Sequence, residues 1–509
     1  MKKFIEAHKD NIHGVLSCVD RIIFKGYSPL SWSKSMEDHM TYNGMLLKDF
    51  KSYAQKLSQQ LCAYGLETAQ KYGRPYFRPE GKYNKEERAR ETAEKYGISD
   101  GLVCVISALE NSPTFKMIPG DGRPKLINAS VPCLCLYYYI MDRTFGMMHI
   151  RIQTWLPFTV QVYINGHEWL ARKMIRHGVE YEQADNCFTW ISDVERAQKF
   201  SDEFQRIKWE RVLPAFARQV NPLPEELFPQ GYYWVVDQAE YATDVMFKNS
   251  ALLEALYGKL LERSILRFGP KDVLTFLGKK FDGRFNGEQI NSMKKRHTGA
   301  RVKHWIKHNW MKMYNKFGSV LRVETVINDP YSFKILRNGK RNGDLIYGWF
   351  PMGKGVANLY RYAEICLAAN GNYLDALSIE PDPRPARESL RMLSSPVVSK
   401  GHRYSSFNPV SDEDIRIFKT VMDGDYVAFG FQNRDIRKTL LGDAKSPKTA
   451  ARLSARTGRL LKKLQAHGLI AKIQRSRRWR VTERGWAVMS AAVKIYENGW
   501  AQVIDKQAA

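Results

Sequence analysis

"RVKHWIKHNWMKMYNKFGSVLRVE", residues 301–324, interleaves cations, histidines and aromatic rings and then runs through a β-rich segment that ends on one carboxylate, Glu324. Two readings compete for it. One is a wet hairpin at the edge of a sheet. The other is a segment that tracks a nucleic-acid strand and aims Glu324 at it. Between Glu288 and Glu324 stand Lys294, Lys295, Arg296, Arg301, Lys303, Lys307, Lys312, Lys316 and Arg322, with no acid among them. Trp305, Trp310, Tyr314 and Phe317 are set between these cations. Cations alternating with stacking rings are what single-stranded or distorted nucleic acid needs. The binding half of the second reading is favoured, while one carboxylate alone is not an active site and leaves the role of Glu324 open.

Charge across the chain points the same way. Lys and Arg number 79 against 53 acidic residues, a net charge of +26 over 509 residues. A strongly basic protein usually meets a polyanion, and nucleic acid is the commonest one. The hydrophobic share of 44% is enough for real cores, and the length predicts more than one domain. No stretch approaches the ~20 apolar residues of a bilayer span, and Asp20 and Arg21 cut the first apolar run, so it makes a poor signal peptide. The expectation is a cytoplasmic protein with no membrane partner. Seven scattered cysteines without a C-x-x-C pair argue against structural zinc; Cys133 and Cys135 read as small core residues.

The periodicities predict a multidomain α+β chain. Residues 1–220 form the first domain, helical over 30–97, an antiparallel sheet over 101–165 and helical again over 166–220. "NPLPEELFPQG" (221–231) is a joint. A second α+β domain, 231–379, carries the opening stretch, and 380–410, rich in Pro, Ser and charge, is a linker.

Residues 411–509 read as three helices, a basic hairpin with "QRSRR" as its loop, and a closing helix, with Asn433 placed to cap the second helix. This order, and "LKKLQAHGLIAKIQRSRRWRVTERGWAVM" in particular, resembles the winged helix-turn-helix domains of MarR-like regulators. Arg434 to Arg484 holds 16 Lys/Arg and 3 acids, half of the net charge of the chain. The resemblance implies that the third helix enters the major groove, with Lys448, Arg452, Arg456 and Arg459 as contacts, and that Arg475, Arg477 and Arg478 reach DNA from the wing.

A regulator does not need the 400 residues that precede this module. "GDGRPK" and "GWFPMGKG" lack Walker spacing, so no nucleotide site is expected. Carboxylates offer more, since two-metal phosphodiester chemistry needs several acids converging on cations. "DQAEYATD" sets Asp237, Glu240 and Asp244 at i, i+3 and i+7, one face of a helix among apolar neighbours. With Glu324 they give a candidate catalytic and metal set of Glu240, Asp244 and Glu324 for Mg²⁺ or Mn²⁺. His149, in line with Arg151 and Gln153 on one strand face, is a candidate acid–base group. His167–Glu168 reads as a helix-capping pair. Asp20 in an apolar strand, followed by Glu110 and Asp142 at strand ends, resembles the order of acids in ribonuclease H-like nucleases. "KMYNKFGSVLRVE" (312–324) resembles a segment of rolling-circle replication initiators, although their His-hydrophobic-His pair is missing from the sequence and Tyr314 is the tyrosine nearest the motif. As a whole the chain resembles uncharacterised proteins of bacterial mobile elements. The expectation is therefore a protein that binds DNA, with RNA and self-association both compatible, and that carries metal-dependent nuclease or strand-transfer chemistry. A non-enzymatic regulator or a structural nucleoprotein component is the alternative.

Overall fold

The computed structural model describes the chain except residues 79–82, 121–123, 229, 280–288, 297–298, 379–385, 400, 424–425, 427–429, 443–445, 474–475, 483, 494–495 and 497–509, and except the side chains of 262, 266–267, 270, 289–296, 299–300 and 386–389. It mixes helices and strands around one large mixed sheet. After α1 (Lys2–His8) the alternating "IHGVLSCVDRIIFKGY" forms β1 (Ile12–Tyr27). Helices α2 (Ser33–Tyr42) and α3 (Phe50–Lys71) lead to the short β2 (Tyr76–Phe77). Asn84 accepts from the amides of Glu86 and Glu87 and so starts α4 (Lys85–Lys95). A meander follows: β3 (Gly101–Ile118), β4 (Lys125–Asp142), β5 (Gly146–Gln153) and β6 (Val160–Asn165). Asn165 then caps α5 (Gly166–Arg176), which is followed by the hairpin β7 (Tyr181–Ala184) and β8 (Cys187–Ile191), then α6 (Val194–Glu203) and α7 (Trp209–Val220).

The segment expected as a helix, "YWVVDQAEYATDVMF", is instead a strand, β9 (Tyr233–Phe247). It pairs along its whole length with β1. After α8 (Ser250–Arg267) and α9 (Pro270–Phe276) come β10 (Gln289–Arg296), β11 (Gly299–Ile306), β12 (Asn309–Lys316) and β13 (Val320–Ile327). The sheet order is β10-β11-β12-β13-β9-β1-β6-β5-β4-β3-β2, antiparallel in its described pairings apart from β2 with β3. The opening stretch is thus no edge hairpin tacked onto a separate domain. The joint expected at 221–231 does not divide the sheet, because β1 and β9 make their hydrogen bonds across it. A free-standing ribbon, β14 (Lys334–Arg341) with β15 (Asp344–Pro351), precedes α10 (Leu359–Ser378).

Contacts divide the chain into two compact units, Met1–Lys259 with Leu274–Gly283 and Ile290–Asp375, and Leu260–Val273 with Arg284–Gln289 and Ala376–Ala509. In the first, α10 covers one face of the sheet. His304 Nε2 lies 3.0 Å from the Tyr373 hydroxyl, Thr325 donates to Asn370 at 2.7 Å, and Asn370 donates to the Tyr241 carbonyl at 3.1 Å.

The C-terminal part of the second unit, Ala376–Ala509, takes in the whole of the expected linker. It contains α11 (Ala386–Leu393), the hairpin β16 (Val397–Ser399) with β17 (His402–Tyr404), α12 (Asp412–Val421), α13 (Asn433–Leu441), α14 (Pro447–Ala466), the hairpin β18 (Ile470–Lys472) with β19 (Trp479–Val481), and a helical run over 484–493. Leu393 and Phe407 belong to its core with Phe418, Ile436, Leu461 and Met489. Burying those two side chains is what orders the latter part of the linker. Gln432 and Asp435 form the capping box of α13. Asn433, expected as the cap, instead exchanges hydrogen bonds with Ser454 and ties α13 to α14.

Candidate functional site

Alternation along the strands sends one set of side chains to the face opposite α10. On β12 this set includes Lys312 and Tyr314, on β13 Arg322 and Glu324, and on β9 Glu240 and Asp244. The register stacks them, with Lys312 beside Glu324, Glu324 beside Ala242 and Arg322 beside Asp244. On β1 a bulge between Val19 and Arg21 inserts one extra residue, Asp20. Asp20 and Arg21 consequently both reach the polar face: Arg21 Nε lies 2.6 Å from Glu240 Oε2, and Asp20 Oδ1 accepts from Arg322 Nη1 at 3.2 Å.

The outcome is a buried cluster of Asp20, Glu240 and Glu324, with one carboxylate oxygen of each lying within 4.8 Å of the others. It is the group of this kind found among the described residues. Lys312 bridges Glu240 and Glu324, 2.9 Å from Glu324 Oε2, and the Tyr314 hydroxyl donates to Glu324. Burial, and after it the neighbouring Glu324 carboxylate, pushes Glu240 up to about 7. Burial would raise Glu324 as well, but Lys312 and Arg322 hold it well below the usual range. Within the pair, burial makes a shared proton favourable, and the cations beside Glu324 place it on the Glu240 side.

Asp244, expected among the metal ligands, stands apart from this trio. Arg322, fully buried, clamps it in a two-pronged ion pair with both contacts at 2.6 Å. Against the cost of burial, Arg322 and then His167 keep its carboxyl lowered. Asp20 takes the place given to Asp244. The reason is the strand: Glu240 and Asp244 sit two pleats apart on one face, too far along β9 to share the small space that the β1 bulge fills.

Covering elements complete the cluster. Gly166 opens α5 so tightly against β1 that a Cβ there would lie 2.1 Å from the Val19 carbonyl oxygen. This brings His167, fully buried, to the site, with Nδ1 3.3 Å from Asp20 Oδ1 and Nε2 3.0 Å from Arg322 Nη2 and 3.3 Å from Cys18 Sγ. The cap of α5 is Asn165, which accepts from the amides of His167 and Glu168, so the imidazole of the expected capping pair is free to serve the site. At the β7–β8 turn, Asn186 donates to Asp20 at 2.9 Å, and Lys316 reaches both Asn186 and Asp185.

The basic and aromatic candidates separate accordingly. Lys312, Tyr314 and Lys316 face inward to the carboxylates and the turn, and do not form a free surface. Arg301, Lys303, Trp305 and Trp310 are half-buried on the same face, with the Lys303 ammonium 4.0 and 3.8 Å from the two indole centroids. Burial, with Lys312 and Arg301 nearby, lowers that ammonium to about 8. Lys307 is exposed in the β11–β12 turn. The side chains of Lys294, Lys295 and Arg296 lie outside the described residues. His149 is away from the carboxylates, stacked on Tyr163 with centroids 4.8 Å apart and flanked by Tyr137 and Tyr139. Burial, then Lys85 and Arg151, pushes it down to about 3, which leaves it a poor general base near neutrality. Arg151 pairs with Glu110 at 2.9 Å.

In the second unit Lys448, Arg452, Arg456 and Arg459 are all exposed along one side of α14, while Thr457, Leu461 and Leu464 fill its buried side. Arg456 reaches Glu413 at 3.6 Å. In the β18–β19 loop Arg477 is exposed, Arg478 donates to the Gly430 carbonyl at 3.0 Å, and Arg475 lies outside the described residues. Asp20, Arg21, Arg322 and His167 are the site residues that sequence reasoning did not assign. Asp20 alone had a signal, a carboxylate inside an apolar strand. No helix among the described residues is long and apolar enough to cross a membrane. Comparison of the chain with protein-family models, with curated proteins and with solved structures finds no match.

Proposed function

We propose that this chain binds nucleic acid, DNA foremost and RNA as a further partner, and cleaves or transfers phosphodiester bonds with Mg²⁺ or Mn²⁺ held by Asp20, Glu240 and Glu324. The observation that carries the reading is the convergence of these three carboxylates from three adjacent strands to within 4.8 Å. Acids packed so closely repel one another and favour a cation between them. A divalent ion there would supply Lewis-acid stabilisation of a phosphoryl oxygen. Around it, Arg21 and Lys312 would neutralise the phosphate, and Glu240, titrating near 7, would hold or release a proton. Binding itself is assigned to the second unit, read as a winged helix with the exposed cations of α14 in the major groove and Arg477 on the wing. The half-exposed Arg301, Lys303, Trp305 and Trp310 add a second contact surface in the first unit. Mobile-element strand processing is the class of reaction that this combination fits.

One observation favours a second reading. Arg21, Lys312 and Arg322 already neutralise the cluster from within the chain, as an ion-pair network in a purely binding protein would. Incubation of labelled single- and double-stranded DNA and RNA with Mg²⁺, Mn²⁺ or a chelator separates the two. The enzyme reading expects metal-dependent products that Asp20→Asn and Glu324→Gln abolish while binding survives. Intact substrates throughout would leave the binding protein.

A further inference from the structure

The polar face of the sheet continues beyond the carboxylates. β1 pairs with β6 without a register shift from Arg21 to Gly26, so Arg21, Ile23, Lys25 and Tyr27 share one side. Tyr27 lies six residues from Arg21, about 20 Å along the strand. Between them this face stays half-exposed at Ile23, Lys25, Gln161 and Tyr163. A continuous floor therefore runs from the acids to the far end of β1.

At that end is a cleft of about 620 Å³ lined by the rings of Tyr27, Trp32, Tyr233 and Tyr331 and by the cations Arg337 and Lys354. Its volume is in the ~300–1,000 Å³ range of ligand clefts. No carboxylate lines it, although Lys354 also reaches Asp237 at 3.8 Å. Trp32, Tyr233 and Tyr331 are each more than half exposed, at 53%, 62% and 62%. The Lys25 ammonium sits 5.0 Å from the Tyr27 ring centroid, on the path between cleft and acids. Rings this exposed cost hydration unless a flat partner covers them. These three rings with half-buried Tyr27, beside two cations, complement an occupant that has π-faces and negative charge at once.

We propose that this cleft stacks the bases of an unpaired nucleic-acid strand, with Arg337 and Lys354 on its phosphates, and that the strand then crosses Lys25 toward the carboxylates. The inference rests on the nucleic-acid reading above and names its substrate as single-stranded. The strand is read through stacking and charge, so binding is tolerant of sequence.

The test uses the full chain with a chelator present, so that cleavage plays no part, and follows fluorescein-labelled dT15 by anisotropy. Trp32→Ala with Tyr331→Ala, both at exposed positions, should weaken single-strand binding by about tenfold per ring lost. Duplex binding should be unchanged, and Tyr331→Phe should bind like the parent. An oligonucleotide carrying 5-iodouracil should photocrosslink to peptides containing Trp32, Tyr233 or Tyr331. Unchanged dT15 affinity in the folded double variant, or crosslinks confined to residues 411–498, would overturn the proposal while leaving duplex binding standing. If AMP competes as well as dT15 does, the cleft is a mononucleotide site and the strand proposal falls. Absence of both single-strand and duplex binding would remove the nucleic-acid reading and this inference with it.

Discussion

Replacing Lys312 by Met decides whether the buried carboxylates hold a cation or merely an internal ion pair. The ammonium is largely buried between Glu240 and Glu324, 2.9 Å from the latter. Breaking a buried pair by removing one partner costs about 3–5 kcal/mol. Unfolding entropy scales with size, so in a unit of roughly 350 residues each kcal/mol moves the melting midpoint by about 1.5 °C. The variant should therefore melt about 4–8 °C lower in chelator. The loss should depend on pH, because Glu240 titrates near 7. Its folded value lies above the ordinary 4.5, so the folded state keeps a proton that the unfolded chain releases. Stability of the parent should accordingly fall as pH rises from about 4.5 to 7. For the variant, proton uptake by Glu240 offsets part of the lost ammonium at pH 6, and the deficit should be larger at pH 8. Mn²⁺ at a hundred times its dissociation constant restores about 2.7 kcal/mol, or roughly 4 °C. The vacated ammonium position should also make the variant bind Mn²⁺ more tightly than the parent. Differential scanning fluorimetry at both pH values, with and without Mn²⁺ or Mg²⁺, reads all of this. If neither protein responds to either metal while the variant still melts low, the carboxylates are a structural ion-pair network and the metal reading is wrong.

Mn²⁺ affinity should rise with pH up to about 7, by up to tenfold per unit, as the ion displaces the Glu240 proton; calorimetry in two buffers should record proton release that Glu240→Gln removes. Asp20→Asn should abolish metal binding. Asp244→Asn should leave it in place but cost about 3–5 kcal/mol by stranding the buried Arg322 guanidinium, a loss seen as a lower melting midpoint. Equal effects of these two changes on metal affinity would contradict the separation of Asp244 from the trio. Arg452→Ala together with Arg459→Ala should weaken duplex DNA binding of every sequence and lower the slope of log K against log salt by about 2, without moving the melting curve. Gly166→Ala, whose Cβ has no room beside Val19, should lower stability.

Strand alternation made the meander over 101–165 readable from the sequence, and the helical period and turn residues did the same for the C-terminal helices and the basic hairpin, because each is fixed by contacts between near neighbours. β9 was misread for a physical reason. Opposite β1 it skips Asp237 between Gln238 and Val236, a bulge. Around a bulge, residues three apart fall on one face, and Asp237, Glu240 and Asp244 then match the spacing of a helix turn. The expected linker hid Leu393 and Phe407 in a Pro- and Ser-rich context, where two apolar residues give no period.

The site was half legible for a related reason. Glu240 and Glu324 stand out as acids among β-formers, yet their partner cannot be chosen from spacing. Asp20 meets them only through pairing of β1 with β9, which spans more than 200 residues, and of β9 with β13, which spans about 80. Asp244 has the same local credentials as Glu240, being an acid in the same apolar strand. What separates them is the cross-strand neighbour: Glu240 pairs with Val326 and Arg21, whereas Asp244 pairs with Arg322, whose guanidinium grips both oxygens of Asp244 two pleats away from the trio. The opening stretch follows the same logic. Its cations at alternate positions gave the surface reading, but once β12 and β13 become interior strands, period two turns Lys312 and Tyr314 onto the carboxylates. Arg301, Lys303 and the two indoles, nearer the sheet edge, stay half-exposed, and Lys307 and Phe317 are exposed in the turns. Nucleic acid arriving at the first unit would therefore meet these edge residues and the floor of β1, and the Lys312 ammonium would stand between its phosphates and Glu324.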